Sequence, residues 1–145
     1  MMIRPWTEFS STLPEEDERE VDGVYEPPGK NVAEVVYGIL GGLGCDLGPL
    51  EGQGEEHGWQ FHFRYKKCDL WCQVTLIYEY LAVIEEISFF RKLFRRPHHP
   101  AYLELLERLS AEMARDPRLY EVRWYADEEV HTDAPGAASP VPSAA

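Results

Sequence analysis

The sequence predicts one α+β domain, an antiparallel sheet of three to four strands packed against two main helices. Three observations carry that expectation. Val32 to Leu43 and Tyr102 to Met113 repeat apolar residues at helical spacing, Trp59 to Tyr65 alternates large apolar and polar residues with period two, and 145 residues is the length of one domain. Two amphipathic helices and a half-apolar sheet bury their apolar faces only against each other.

In chain order, residues 1–28 read as an irregular acidic arm, with the run Glu15 to Glu20 following Leu13-Pro14 and with Pro27-Pro28 at its end. Ile3, Trp6, Phe9 and Leu13 are its only anchors to a core. The domain proper is expected over 29–126. Asn31 is a candidate N-cap for a first helix carrying Val32, Val35, Val36, Ile39, Leu40 and Leu43 on one face, and Gly41, Gly42 and Gly44 supply its stop. Asp46 to Gly58 reads as an exposed loop. Trp59 to Tyr65 then pairs, across a turn at Lys66-Lys67-Cys68-Asp69, with a second alternating strand from Leu70 to Ile77.

The stretch 78–96 fits either a strand or a helical face; the reading adopted is a strand through about Glu86, then a short helical turn with Phe89, Phe90 and Leu93. A second helix carries Tyr102, Leu105, Leu106, Leu109 and Met113 and stops at Asp116-Pro117. Leu119 to Tyr125 alternates as a last strand. Residues 127–145, rich in Pro, Ala, Ser and Gly, read as a disordered tail.

Charge narrows the function classes. Lys and Arg number 14 against 26 Asp and Glu, a formal charge of −12. Such a surface repels phosphates, so neither nucleic acid nor an anionic membrane is an expected partner. The acidity is uneven: residues 1–30 hold 8 acids and 3 bases, 31–57 hold 5 acids and no base, and 58–100 hold 4 acids and 7 bases. No apolar run reaches the roughly 18 residues of a membrane span, and Met1 to Pro14 lacks a basic stretch followed by an apolar one. Three scattered cysteines fit free thiols in a reducing compartment, which makes the cytoplasm the expected location.

Each candidate site has a plainer alternative. Cys68 and Cys72, with His57 and His62 nearby, invite zinc, but four residues along a strand separate two ligands by about 13 Å, so no metal or other cofactor is expected. His98-His99, beside Arg91, Lys92, Arg95 and Arg96, could hold a phosphate; without a glycine-rich loop the plainer reading is a solvated turn at a helix end. Glu85-Glu86 and Glu55-Glu56 are paired carboxylates, yet neighbours on a strand face opposite ways and a glycine-rich loop positions a base poorly. No catalytic residue is expected, and the chain reads as a binder rather than an enzyme. The expected contact residues are Asp46, Glu51, Glu55 and Glu56, in the stretch with no base, where carboxylates can mimic substrate phosphates toward a basic protein.

The succession Gly29-Lys30 with its amphipathic helix, Gly58-Trp59-Gln-Phe, a strand pair, a Leu-rich helix and Asp116-Pro-Arg-Leu-Tyr-Glu-Val-Arg-Trp124 resembles small bacterial immunity proteins encoded beside polymorphic or type VI secreted toxins. The likeness is one of organisation over residues 29–125 and assigns no binding residue. It implies a cytoplasmic, non-enzymatic antitoxin that binds a cognate toxin. The alternative is a secretion chaperone or adaptor that holds an effector segment; a homodimer is left open and is what that alternative predicts.

Overall fold

A computed structural model describes residues 2–54, 57–88, 93–94 and 96–142. The period-two stretches build the centre of the fold: β6 (Trp59–Tyr65), β7 (Cys68–Leu76) and β8 (Tyr80–Glu86) pair antiparallel in register, with His62 opposite Trp71 and Trp71 opposite Glu85. Their inward residues Phe61, Phe63, Leu70, Cys72 and Ile84 are buried. Against that face lie α1 (Lys30–Gly42) and α2 (Pro100–Arg115), through Val36 and Leu40 on one and Leu105, Leu106 and Leu109 on the other.

The fold is the expected α+β class, but the sheet has seven strands rather than three or four. Its order is β4-β6-β7-β8-β1-β9, where β4 is Asp46–Leu47, β1 is Trp6–Ser11 and β9 is Leu119–Tyr125; β5 (Glu51–Gly52) also pairs with β6. The extra strands come from segments expected to be irregular. Residues 1–28 are not a loose arm. They supply β1, which sits between β8 and β9 with Thr7 and Phe9 buried, and the small hairpin of β2 (Arg19–Val21) and β3 (Val24–Glu26). The stretch 46–58 is likewise no simple loop, because β4 and β5 cover the outer edge of β6.

The expected tail is held as well. Trp124 and Ala137 exchange both backbone hydrogen bonds at 2.8 Å, the Arg4 amide donates to the Pro140 carbonyl at 2.8 Å, and Val141 is buried. A composition poor in large apolar residues did not prevent order here, because the anchoring is through the backbone. The strand reading of 80–86 holds; Phe89 and Phe90 lie outside the described residues, while Leu93 and Phe94 are helical and exposed.

The cap of α1 also differs from expectation. Gly29, at φ 80°, is the N-cap, and Asn31 lies inside the first turn with its side-chain Nδ2 donating to the Pro14 carbonyl at 2.8 Å. A Cβ on Gly29 would stand 3.3 Å from the Tyr80 ring, so glycine meets both the left-handed backbone and the close approach.

Antiparallel pairing gives the sheet two distinct ends. At one are the β7–β8 turn, the last residues of β1, the N-terminus of α1 and His57-Gly58 before β6. At the other are the Lys66-Lys67 turn, the last residues of β8, the N-terminus of α2 and the end of β9.

Candidate functional site

The β7–β8 end gathers acidic segments that are far apart in sequence. The Gly29 amide donates to the Glu16 carbonyl at 3.0 Å, closing residues 16–29 into a loop whose base lies against Leu76 and Tyr80. Glu16 Oε1 accepts from the Asn31 amide at 2.7 Å, placing a carboxylate where the α1 dipole favours one and where the helix's own first turn has no acid. Burial, and then the charges of Glu15 and Glu16, push the Tyr80 hydroxyl above its usual range. On the outer side of the sheet, burial and the adjacent Glu79 carboxylate raise Glu8 above the ordinary carboxylate range.

His57 and Gly58, just before β6, pack on the same end. A Cβ on Gly58, at φ 60°, would collide with the Val74 carbonyl at 2.2 Å, and the His57 carbonyl accepts from Gln73 Nε2 at 2.7 Å. Glu51, on β5 opposite Gln60, is exposed on this end too. Glu55 and Glu56 lie outside the described residues. Asp46 does not join Glu51: it pairs opposite Arg64, four residues along β6 and roughly 13 Å away, toward the Lys66-Lys67 turn. Only part of the expected contact set therefore shares one end.

At that end the main cations are already engaged. Glu26 accepts from both Lys30 and Arg19 at 2.9 Å, and those two hydrogen bonds hold its carboxyl below the usual range. Among the described residues, Glu15, Glu51 and Glu79 have no cation at ion-pair distance.

At the opposite end several charges are paired. Lys66 meets Glu104 at 2.8 Å, Arg64 meets Asp69 at 3.0 Å, and Arg108 donates to the Tyr65 hydroxyl at 2.8 Å. His98 and His99 are not a solvated turn. His99 is the N-cap of α2, its Nδ1 accepting from the Ala101 amide at 3.0 Å, and its own amide donates to Glu86 Oε1 at 3.1 Å. Glu86 Oε2 stands 3.1 Å from His98 Nδ1, with the Glu86 side chain only 7% exposed. Glu85 and Glu86, on opposite strand faces, nevertheless line one cleft of about 220 Å³ with His98, Tyr102 and Asp127, because the cleft lies at the strand end where both faces are reached. A carboxylate-held imidazole is half of a general-base arrangement, but here the same carboxylate and the next histidine cap a helix, which accounts for the residues present.

Cys68 and Cys72 share the buried face of β7, four residues apart. Burial raises Cys45 and Cys68 to about 11 and Cys72 further, so all three stay thiols near neutral pH. Among the described residues, no three His, Cys, Asp or Glu side chains converge as a metal site requires, and no described helix is long and apolar enough to cross a membrane. Comparison with protein-family models, curated proteins and solved structures finds no match.

The sequence reading missed Glu8 and Glu79 as members of the acidic end, since only strand order brings them there, and it set the run Glu15 to Glu20 aside as a competing surface too mobile to bind, whereas Glu16 is held against the start of α1. One local signal pointed there: Ile77-Tyr78 occupies the short loop between Leu76 and Tyr80, where small or polar residues are usual.

Proposed function

We propose that the protein is an immunity-type inhibitor that binds a cognate bacterial toxin and covers its active surface, and that the toxin is cationic, as enzymes acting on nucleic acid are. The observation that carries this reading is the gathering of uncompensated carboxylates at one end of a rigid sheet. Glu51 stands on a paired strand, Glu79 in a tight turn and Glu15 beside a capping residue, so each charge is presented with little ordering left to lose on binding. A field of this sign accelerates encounter with a basic protein and disfavours acidic ones. The resemblance in organisation to immunity proteins points the same way.

The test is coexpression with the product of the adjacent gene. Inhibition predicts that this product is toxic alone and harmless with the protein present; a product that is harmless alone, or stays toxic beside it, refutes the reading. Replacing Glu51, Glu55 and Glu56 together by Lys should slow association about tenfold or more and flatten its salt dependence, with melting behaviour unchanged. Unaltered kinetics would remove that loop from the contact. A partner captured as an extended segment by a stable dimer would favour a secretion chaperone instead.

A further inference from the structure

The β7–β8 turn carries the most exposed large side chains of the described core sheet. Tyr78 is 94% exposed and Ile77 63%, in a loop closed by the Leu76–Tyr80 pair and by the Ile77 amide donating to the Glu79 carbonyl at 3.3 Å. Nothing in the fold requires this. Neither side chain reaches the core, and a turn of this length is commonly built from glycine, asparagine or aspartate. The surroundings of the tip are acidic. Glu79 is its next residue and abuts Glu8, while Glu15 and Glu16 are close enough to raise the adjoining Tyr80. Glu51 stands on the same end two strand pairings across, opposite Gln60 on β6, which is itself opposite Gln73 on β7. An exposed aromatic with charges around it is the composition of a protein-binding hot spot, whose aromatic anchor fills a pocket while the rim sets the partner's sign.

We infer that Tyr78, with Ile77, is the apolar anchor of this end, and that it seats in an apolar socket bordered by Lys and Arg on a folded protein. A nucleic acid or an anionic bilayer would be repelled by the same carboxylates. A second copy of this end would bring like charges together. The inference rests on the protein being a binder of a cationic partner, but not on that partner being a toxin.

The experiment replaces Tyr78 by the photo-crosslinker p-benzoylphenylalanine in the full chain, expressed in the cell it comes from. Ile87, 46% exposed at the opposite end of the sheet, takes the same replacement as control. Position 78 should crosslink to one protein, through a peptide in which Lys or Arg flank apolar residues, and position 87 should not. The adduct should be lost when Glu15 and Glu79 are both replaced by Lys. Glu16 is left in place because it caps α1. With that partner purified, Tyr78→Ala should weaken binding about thirtyfold or more, as an anchor does, with the melting temperature of the free protein unchanged.

The inference is overturned by no adduct at 78, by an adduct to nucleic acid or to a second copy of the chain, by an adduct indifferent to the charge reversal, or by Tyr78→Ala binding within about twofold of the parent. The two proposals fail separately. A basic partner that is not a toxin leaves the anchor standing and sinks the inhibitor reading. Full protection from a toxin by the Tyr78→Ala protein does the reverse.

Discussion

The two ends of the sheet use the same residue types to different effect. At the Lys66-Lys67 end, several carboxylates are spent internally, Glu104 on Lys66, Asp69 on Arg64 and Glu86 on His98 and the backbone amide of the α2 N-cap His99, while Asp46 has no cation at ion-pair distance among the described residues. At the β7–β8 end, Glu16, Glu18 and Glu26 have such duties and Glu79 is shared with Glu8, while Glu15, Glu51 and Glu79 are exposed with no cation beside them among the described residues, next to an exposed tyrosine. The difference teaches that net charge alone says little about where a protein binds. What matters is which charges the fold leaves without an internal task, and a histidine–glutamate pair in a cleft can be architecture while a bare turn is the contact.

Stability measurements break the comparison if it is wrong. Glu86→Ala strips the buried partner from His98 and from the cap of α2, and should cost about 2–3 kcal/mol in urea unfolding. Tyr78→Ala at the other end should stay within about 0.5 kcal/mol. Equal losses would mean that the exposed turn is structural after all. A smaller effect sharpens the contrast from the other side. Lys66 and Lys67 hold φ of 45° and 66° in a two-residue turn, a conformation that favours glycine. Lys67→Gly should therefore raise stability by about 0.5–1 kcal/mol while leaving the Lys66–Glu104 pair intact and partner binding unchanged.

The smallest effect is one of pH. Glu8 is raised by burial and by Glu79, so the stabilisation linked to its neutral form is complete below its unfolded value and is lost as pH rises through the folded one. Glu104 is lowered by its hydrogen bond to Lys66, so its contribution is present above the unfolded value and fades as pH falls through the folded one. Acid thus relieves one end and loosens the other. Glu8→Gln should raise the melting temperature at pH 7 and lose that advantage on approach to about pH 4.5, the ordinary glutamate value. An advantage that is constant with pH would show that the carboxyl pair is not its source.

The elements legible in the sequence include α1, α2, β6 and β7, whose burial follows one period; β8 and β9 were also read as strands, although in β9 the alternation breaks at Glu121, at φ 53°, so that Trp124 and Tyr125 are both buried. β1 escaped because its two large apolar residues point opposite ways. Phe9 goes inward with Thr7, and Trp6 outward to donate from Nε1 to Asp127 at 2.7 Å, so the inward row contains a buried threonine where alternation asks for an apolar side chain. The 127–142 segment escaped because backbone pairing at Ala137 and Pro140 leaves no mark on composition. Glu51 was found from local charge. Glu15 was visible as part of the acidic run Glu15 to Glu20, but its anchoring was not, because it depends on the Gly29–Glu16 hydrogen bond; Glu8 and Glu79 could not be found, since only the placement of β1 beside β8 makes them neighbours.

The position of β1 also sets an order of events in time. The first strand made is one of the last to be satisfied, since Thr7 must wait for Ala82 on one side and Trp124 on the other. At a synthesis rate of about 5–20 residues per second, an emerging chain holds Trp6 and Phe9 without their partners for several seconds. Pairings of such long sequence separation also form slowly once the chain is whole. Until β9 arrives, β1 can offer only an unpaired edge, so refolding should be sensitive to protein concentration in a way that the finished sheet, with β1 paired on both sides, is not.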